Sequence, residues 1–183
     1  MNDDLAAVRS LKNGDIGGLE TLVCRHQAKA IRTAFLVVRD EKLAEDIVQE
    51  TFLKVFKHIR RFDENRRFEP YLLRSVVNAA LDAAQQTSKQ DKMTVGIDSV
   101  ENLIHQVISV ENQVEFKALK LEIHQALELL SPRQRAAIVM RYYLDMSEKE
   151  MAEDLNAAPG TIKWLLNAAR ERLRHLLSER SAK

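Results

Sequence analysis

Apolar side chains recur at every third or fourth position through most of this chain, which is the spacing of one face of an α-helix. In residues 41–59 this apolar stripe consists of Leu43, Ile47, Val48, Phe52, Val55 and Ile59. Similar stripes run through residues 14–39, 68–81 and 162–173. Only five glycines and three prolines occur, whereas straight-chain residues, which lose little side-chain freedom in helices, are abundant. The pattern therefore predicts an all-α fold.

A polar stretch interrupts the helical pattern after Gln86, where the sequence reads TSKQDKMTVGIDS. Such composition is typical of a linker. We therefore expect two small helical domains, residues 1–86 and 114–183, joined by a linker of residues 87–113. Aliphatic residues at helical spacing within this linker predict a short amphipathic helix that forms only when docked on the domains or on a partner. These residues are Val100, Leu103, Ile104, Val107 and Ile108. A disordered linker is the alternative.

The C-terminal domain contains the start signals of a helix-turn-helix. Residues 131–134 read Ser-Pro-Arg-Gln, which is a capping serine, a proline at the first helical position and a glutamine three residues after the cap. Residues 147–150 repeat the capping pattern as Ser-Glu-Lys-Glu. A turn at residues 156–158 and a new helix start at Pro159 follow. A short helix, a tight turn and a second helix are the order of a helix-turn-helix.

The helix that follows Pro159 has a basic and amide-bearing outer face. Its apolar side consists of Ile162, Leu165, Leu166, Ala169 and Leu173. Its other side consists of Lys163, Trp164, Asn167, Arg170, Glu171 and Arg174. Cations that meet phosphates, and amides and guanidinium groups that reach base edges, suit the major groove of DNA. An ordinary solvated helix is the alternative, although an exposed tryptophan favours an interface.

Basic and aromatic residues interleave in the N-terminal domain. Residues 54–74 hold seven basic residues against three acidic ones, and five of the ten aromatic residues lie in residues 52–71. Aromatic faces stack on unpaired bases while cations hold the strand, so this composition suits single-stranded nucleic acid. Phe52 and Phe56 continue the helix stripe and are predicted to be core residues. For Phe62, Phe68 and Tyr71, core packing and base stacking both stay open.

Several classes of function lack their sequence signals. The five histidines are scattered, without a zinc-protease motif, Cys–His ligand spacing, a phosphate-binding glycine loop or a nucleophile elbow. We therefore expect no enzyme activity, no cofactor and no metal site. No apolar run reaches the ~20 residues that cross a bilayer, and the acidic N-terminus does not read as a secretion signal. With a lone cysteine, Cys24, these observations indicate a cytoplasmic protein.

Four segments resemble the extracytoplasmic-function sigma factors of the sigma-seventy family. LAEDIVQETFL, residues 43–53, is similar to the signature helix of that family, and RFEPYLLRSVVNAALD, residues 67–82, to its promoter-melting segment. Residues 126–155 and 159–177 resemble its C-terminal promoter-binding domain. The resemblance implies a transcription initiation factor that directs core RNA polymerase to specific promoters.

The resemblance also implies a role for individual residues. Binding to the clamp helices of the largest polymerase subunit is implied for Glu45, Asp46, Gln49 and Glu50. Recognition and melting of the minus-ten element are implied for Arg61, Phe62, Arg66, Arg67, Phe68, Tyr71, Arg74 and Asn78. Binding of the minus-thirty-five element is implied for Arg133, Thr161, Lys163, Trp164, Asn167 and Arg170. The implied partners are core RNA polymerase, promoter DNA in double-stranded and melted form, and an anti-sigma factor.

Some positions depart from the family pattern. Tyr71 stands where tryptophan is common, and basic residues are frequent in the family at Val77, Gln85, Gln86, Leu165 and Ala168. Fewer cations predict weaker nonspecific DNA affinity and a shallower salt dependence.

Two other functions are alternatives to that of a sigma factor. The first is a helix-turn-helix regulator that binds duplex DNA without acting as a polymerase subunit, and the second is a helical adaptor with degenerate DNA faces. The acidic start of residues 41–60 also has a plain explanation, since acids there complement the helix dipole.

Overall fold

A computed structural model describes residues 3–90 and 125–181, and every regular element within these residues is a helix. The all-α prediction is therefore confirmed. The chain divides into two compact units, Met1–Ala83 and Ala84–Lys183. The predicted linker helix, from Val100 to Ile108, lies outside the described residues.

The N-terminal unit is built from consecutive helices joined by short turns. They are α1 (Asp3–Lys12), α2 (Gly17–Val38), α3 (Glu41–His58), a 3₁₀ turn (Ile59–Arg61) and the greater part of α4 (Phe68–Gln90), whose residues from Ala84 onward belong to the second unit. Helix α4 begins where the sequence predicted it, but it continues through residues 87–90, which were predicted to belong to the linker.

Local chemistry explains where these helices start and stop. Helix α2 ends at Arg39, which adopts a left-handed conformation with φ of 66°. Asp40 then caps α3, because its carboxylate accepts a hydrogen bond from the Leu43 amide at 2.8 Å. Gly18 allows α1 and α2 to touch, since a Cβ at this position would lie 2.3 Å from the Ala7 carbonyl oxygen. The core beneath consists of buried side chains such as Val8, Leu22, Val37, Val48, Leu72 and Val76.

The C-terminal unit contains the predicted helix-turn-helix. After helical residues 125–128 come α5 (Pro132–Ile138), a π-helical turn (Val139–Tyr143), α6 (Glu148–Asp154) and α7 (Pro159–Ser181). Ser131 and Ser147 both form complete capping boxes, as predicted. The apolar side of α7 is confirmed as well, since Ile162, Leu165, Leu166 and Ala169 are buried and Leu173 is half-buried.

The described helices include none that is both long and apolar enough to cross a membrane.

Candidate functional site

One face of α3 presents a stripe of polar side chains to solvent. Glu45, Asp46, Gln49 and Glu50 are all exposed, while Ala44, Ile47, Val48 and Thr51 between them are buried. Lys54 pairs with Glu50, with Nζ 2.9 Å from Oε1. The hydrogen bond from Lys54 and its charge lower the pKa of Glu50 below the ordinary value of 4.5. Glu50 is therefore ionised at neutral pH, and the stripe is an anionic surface.

Two apolar side chains extend this face. Leu53 is 55% exposed and Phe56 is 38% exposed, whereas Phe52, the neighbour of Leu53 in the sequence, is buried. The prediction for Phe52 is confirmed, but the prediction that Phe56 is a core residue was wrong, because the buried stripe passes through Val55 and Ile59 instead. Leu53 was not predicted to belong to the site, although an apolar residue outside the helix stripe is a signal for an exposed contact.

The aromatic residues after α3 form a packed cluster. Phe62 is 8% exposed and Phe68 is 2% exposed. The centroid of the Phe62 ring lies 5.8 Å from that of Phe68 in an edge-to-face arrangement, and 5.0 Å from that of Tyr71. Of the two roles left open for Phe62 and Phe68, core packing is the one that their rings have here, because both are covered by protein. The implied role of these residues at the minus-ten element stays a prediction. Tyr71 is half-buried and is the member of the cluster that is partly open to solvent.

Polar residues assigned to the minus-ten element follow Tyr71 on α4 and precede α4 in the sequence. Arg74 and Asn78 follow Tyr71 at spacings of three and seven residues, so the three share one face of α4, and all three are half-buried. Arg61, Arg66 and Arg67 are exposed in the segment that leads into α4. The structure thus brings six of the eight residues assigned to the minus-ten element to the surface.

The outer face of α7 is exposed as the sequence predicted. Lys163 and Asn167 are exposed, and 65% of Trp164 is accessible to solvent. Thr161 and Arg133, the latter on α5, are exposed as well.

Arg170 is the most constrained residue of this face. Its Nε donates to the Tyr142 hydroxyl at 2.8 Å, and its Nη1 donates to Asn167 Oδ1 at 3.2 Å. Its guanidinium carbon also lies 5.8 Å from the centroid of the Tyr142 ring. Tyr142, which is 61% exposed, was not identified from the sequence. Its contact with Arg170 spans 28 residues, so no local pattern indicates it.

Two of the positions that depart from the family pattern are core positions here. Val77 is fully buried and Leu165 is 7% exposed. A cationic side chain at either position would lose its contact with water, which costs free energy. In this chain Val77 and Leu165 are therefore core residues.

The fold and these surfaces define a class of protein, namely a two-unit helical DNA-binding protein that carries a helix-turn-helix in its second unit. The family model described as Sigma-70 region 2 matches residues 22–90, and that described as Sigma-70, region 4 matches residues 120–173.

Relatives and solved structures agree with these matches. The chain is 26% identical to the ECF RNA polymerase sigma factor SigW of Bacillus subtilis, over 94% of this chain and 95% of that protein. It is 28% identical to SigM of the same organism, over 76% of this chain and 83% of that protein. The structure of CnrH in complex with the cytosolic domain of CnrY matches with a TM-score of 0.63 and 20% identity, over 96% and 97% of the two chains, which shows the fold alone.

A further structure is that of the sigma factor RpoE in complex with the anti-sigma factor NepR from Bartonella quintana. It matches with a TM-score of 0.63 and 25% identity, over 87% of this chain and 96% of that chain. The chain belongs to the extracytoplasmic-function sigma factors of the sigma-70 family, and it directs core RNA polymerase to promoters.

Proposed function

We propose that three surfaces of this sigma factor divide the work of initiation. The exposed face of α3 binds core polymerase. The surface around Tyr71 captures and opens the minus-ten element. The outer face of α7 reads the minus-thirty-five element in duplex form.

The observation that carries the first assignment is the pair of exposed apolar side chains beside the anionic stripe of α3. The helix dipole explains acidic residues near the start of α3, but it does not explain why Leu53 and Phe56 remain in water. An apolar patch next to a charged stripe is the composition of a docking surface, in which charge steers the encounter and apolar contacts hold the complex. The family resemblance supplies the partner, the clamp helices of the polymerase.

Charge reversal tests the docking assignment. Asp46→Arg with Glu50→Arg should abolish co-elution of the chain with core polymerase, because a basic partner surface would then be repelled. Both side chains are exposed, so the fold should survive, as circular dichroism would show. Glu20→Arg with Asp82→Arg makes the same change in net charge at two exposed residues elsewhere in this unit and should leave binding intact. Normal co-elution of the first variant would rule out the α3 face as the docking surface.

The two DNA surfaces can be separated by substrate. Lys163→Ala and Trp164→Ala should weaken binding to double-stranded minus-thirty-five DNA, since both side chains lie on the outer face of α7. Tyr71→Ala and Asn78→Ala should leave duplex binding unchanged and impair strand opening, because stacking and base capture require unpaired bases. Fluorescence anisotropy would measure duplex binding, and a fluorescent base analogue in the minus-ten element would report opening by the holoenzyme. If all four variants lost duplex binding equally, and opened prebound promoters normally, this division would be wrong.

We further propose that an anti-sigma factor holds this chain inactive. The support comes from the two solved structures described above, since each contains a second protein and NepR is named an anti-sigma factor. A protein that co-purifies with the chain should reduce run-off transcription when it is added back to the holoenzyme, and the absence of any such inhibition would count against it. We also propose that the chain acts in the cytoplasm, because its other partner is core polymerase. We assign no catalysis to the chain itself.

A further inference from the structure

The segment between the 3₁₀ turn and α4, residues 62–67, is held from outside by α1. The Lys12 ammonium donates to the Phe62 carbonyl oxygen at 2.7 Å and to Glu64 Oε1 at 2.9 Å. Arg9, one helical turn earlier, donates from Nε to Glu64 Oε2 at 2.8 Å. Two cations of α1 therefore bind one carboxylate and one backbone carbonyl that lie about fifty residues further along the chain.

The same segment is also ordered from within. Asp63 Oδ1 accepts hydrogen bonds from the Asn65 amide and side chain, both at 3.0 Å, and the Arg66 amide donates to the Asp63 carbonyl at 3.0 Å. The packing of Phe62 against Phe68 brings the two ends of this segment together. Glu64 is the side chain through which the cations of α1 bind this segment.

We propose that α1 is a clamp that fixes residues 62–67 in the conformation that presents Arg66 and Arg67 to the minus-ten element. This inference rests on the proposed function, because the role of that segment in opening DNA is part of that proposal. Lys12 and Arg9 act through the segment as positioning residues. The matched sigma-70 region 2 begins at residue 22, so the clamp lies outside the matched part of the chain.

An incidental surface ion pair is the rival explanation, and such pairs contribute little. Two features of Lys12 argue against it. Its side chain is only 19% exposed, and its second acceptor is a backbone carbonyl, whose position fixes the chain direction after the 3₁₀ turn. A lysine that holds both a side chain and the backbone restricts the segment more than a single exposed pair does.

Lys12→Met tests the clamp, because methionine keeps an unbranched side chain and a good helix propensity while it removes the ammonium. The control is Arg25→Met, which removes an ion pair of 3.3 Å between α2 and Asp4 of α1 instead. Hydrogen exchange of the backbone amides in residues 62–67 would be measured on the full chain without DNA. We expect Lys12→Met to accelerate this exchange about three- to tenfold, and Arg25→Met to leave it unchanged.

A combined variant checks that Lys12 acts through the segment. Glu64→Gln should accelerate exchange in the wild-type background, but much less in a chain that carries both Lys12→Met and Arg9→Met. Exchange in residues 62–67 that stays at the wild-type rate in Lys12→Met overturns the clamp. Accelerated exchange supports it. If exchange accelerates while promoter opening stays normal, α1 does fix this segment, but the segment has no role at the minus-ten element. The result for the clamp and the result for the proposed function can therefore be told apart.

Discussion

Replacement of Phe68 by alanine distinguishes a core aromatic residue from one that stacks on DNA. Phe68 is the first residue of α4, is 2% exposed, and has the rings of His26, Phe62 and Tyr71 within 6.4 Å. Truncation of a buried phenylalanine costs about 3–5 kcal/mol. A unit of this size has a free energy of unfolding of about 4–12 kcal/mol. Phe68→Ala should therefore remove a large part of the stability of the N-terminal unit.

Phe56→Ala is the matched control, because it makes the same chemical change at a side chain that is 38% exposed. We expect it to cost about 1–2 kcal/mol, because this side chain is only partly buried. Urea denaturation followed by circular dichroism would give the free energies, and hydrogen exchange would assign them to each unit, since two units need not unfold together. Our assignment fails if Phe68→Ala is no more destabilising than Phe56→Ala and yet abolishes promoter opening. That result would make Phe68 a base-stacking residue.

Two further predictions concern contacts that orient charged groups. Tyr142→Phe keeps the ring beside Arg170 but removes the hydroxyl. The affinity for duplex minus-thirty-five DNA should therefore fall about two- to fivefold, with an unchanged salt slope. A similar loss in an Arg170→Ala background would show that Tyr142 does not act through Arg170. Hydrogen bonds from Arg9 and Lys12 lower the pKa of Glu64 below 4.5, so its contribution to stability is present above the unfolded-state pKa and is lost as pH falls through the folded one. The difference in Tm between wild type and Glu64→Gln should thus be constant around neutral pH and should become smaller as the pH falls below 4.5. A difference in Tm that is still undiminished near pH 3 would contradict this.

Local sequence signals predicted the helices well because their physical causes are local. The caps at Asp40, Ser131 and Ser147 each involve a backbone amide three residues away, so the residues that form them are visible in a short stretch of sequence. The buried face of α7 was predicted from periodicity for the same reason. These signals also located the exposed polar faces of α3 and α7, since the outer face of an amphipathic helix is the complement of its buried stripe.

The error, and the questions that the sequence left open, lie where burial depends on tertiary packing. Phe62 and Phe68 flank a basic turn, and the sequence cannot show that their rings pack against each other across it. Phe56 looked like a core residue, but the buried stripe of α3 leaves it partly exposed. The clamp of Lys12 on Glu64 joins residues 52 positions apart, and no periodic pattern predicts such a pair.

The salt dependence of promoter binding follows from the same distinction between buried and exposed positions. Five positions lack a basic residue that is frequent in the family, and each lost phosphate contact would reduce the salt slope by about 0.9. Val77 and Leu165 are buried, so in this chain they cannot offer a cation to DNA whatever the residue type. The deficit is then confined to Gln85, Gln86 and Ala168, which are exposed or half-buried. Conversion of these three residues to arginine should therefore steepen the salt slope, whereas arginine at Val77 or Leu165 should first cost stability, because it places an unpaired charge in the core.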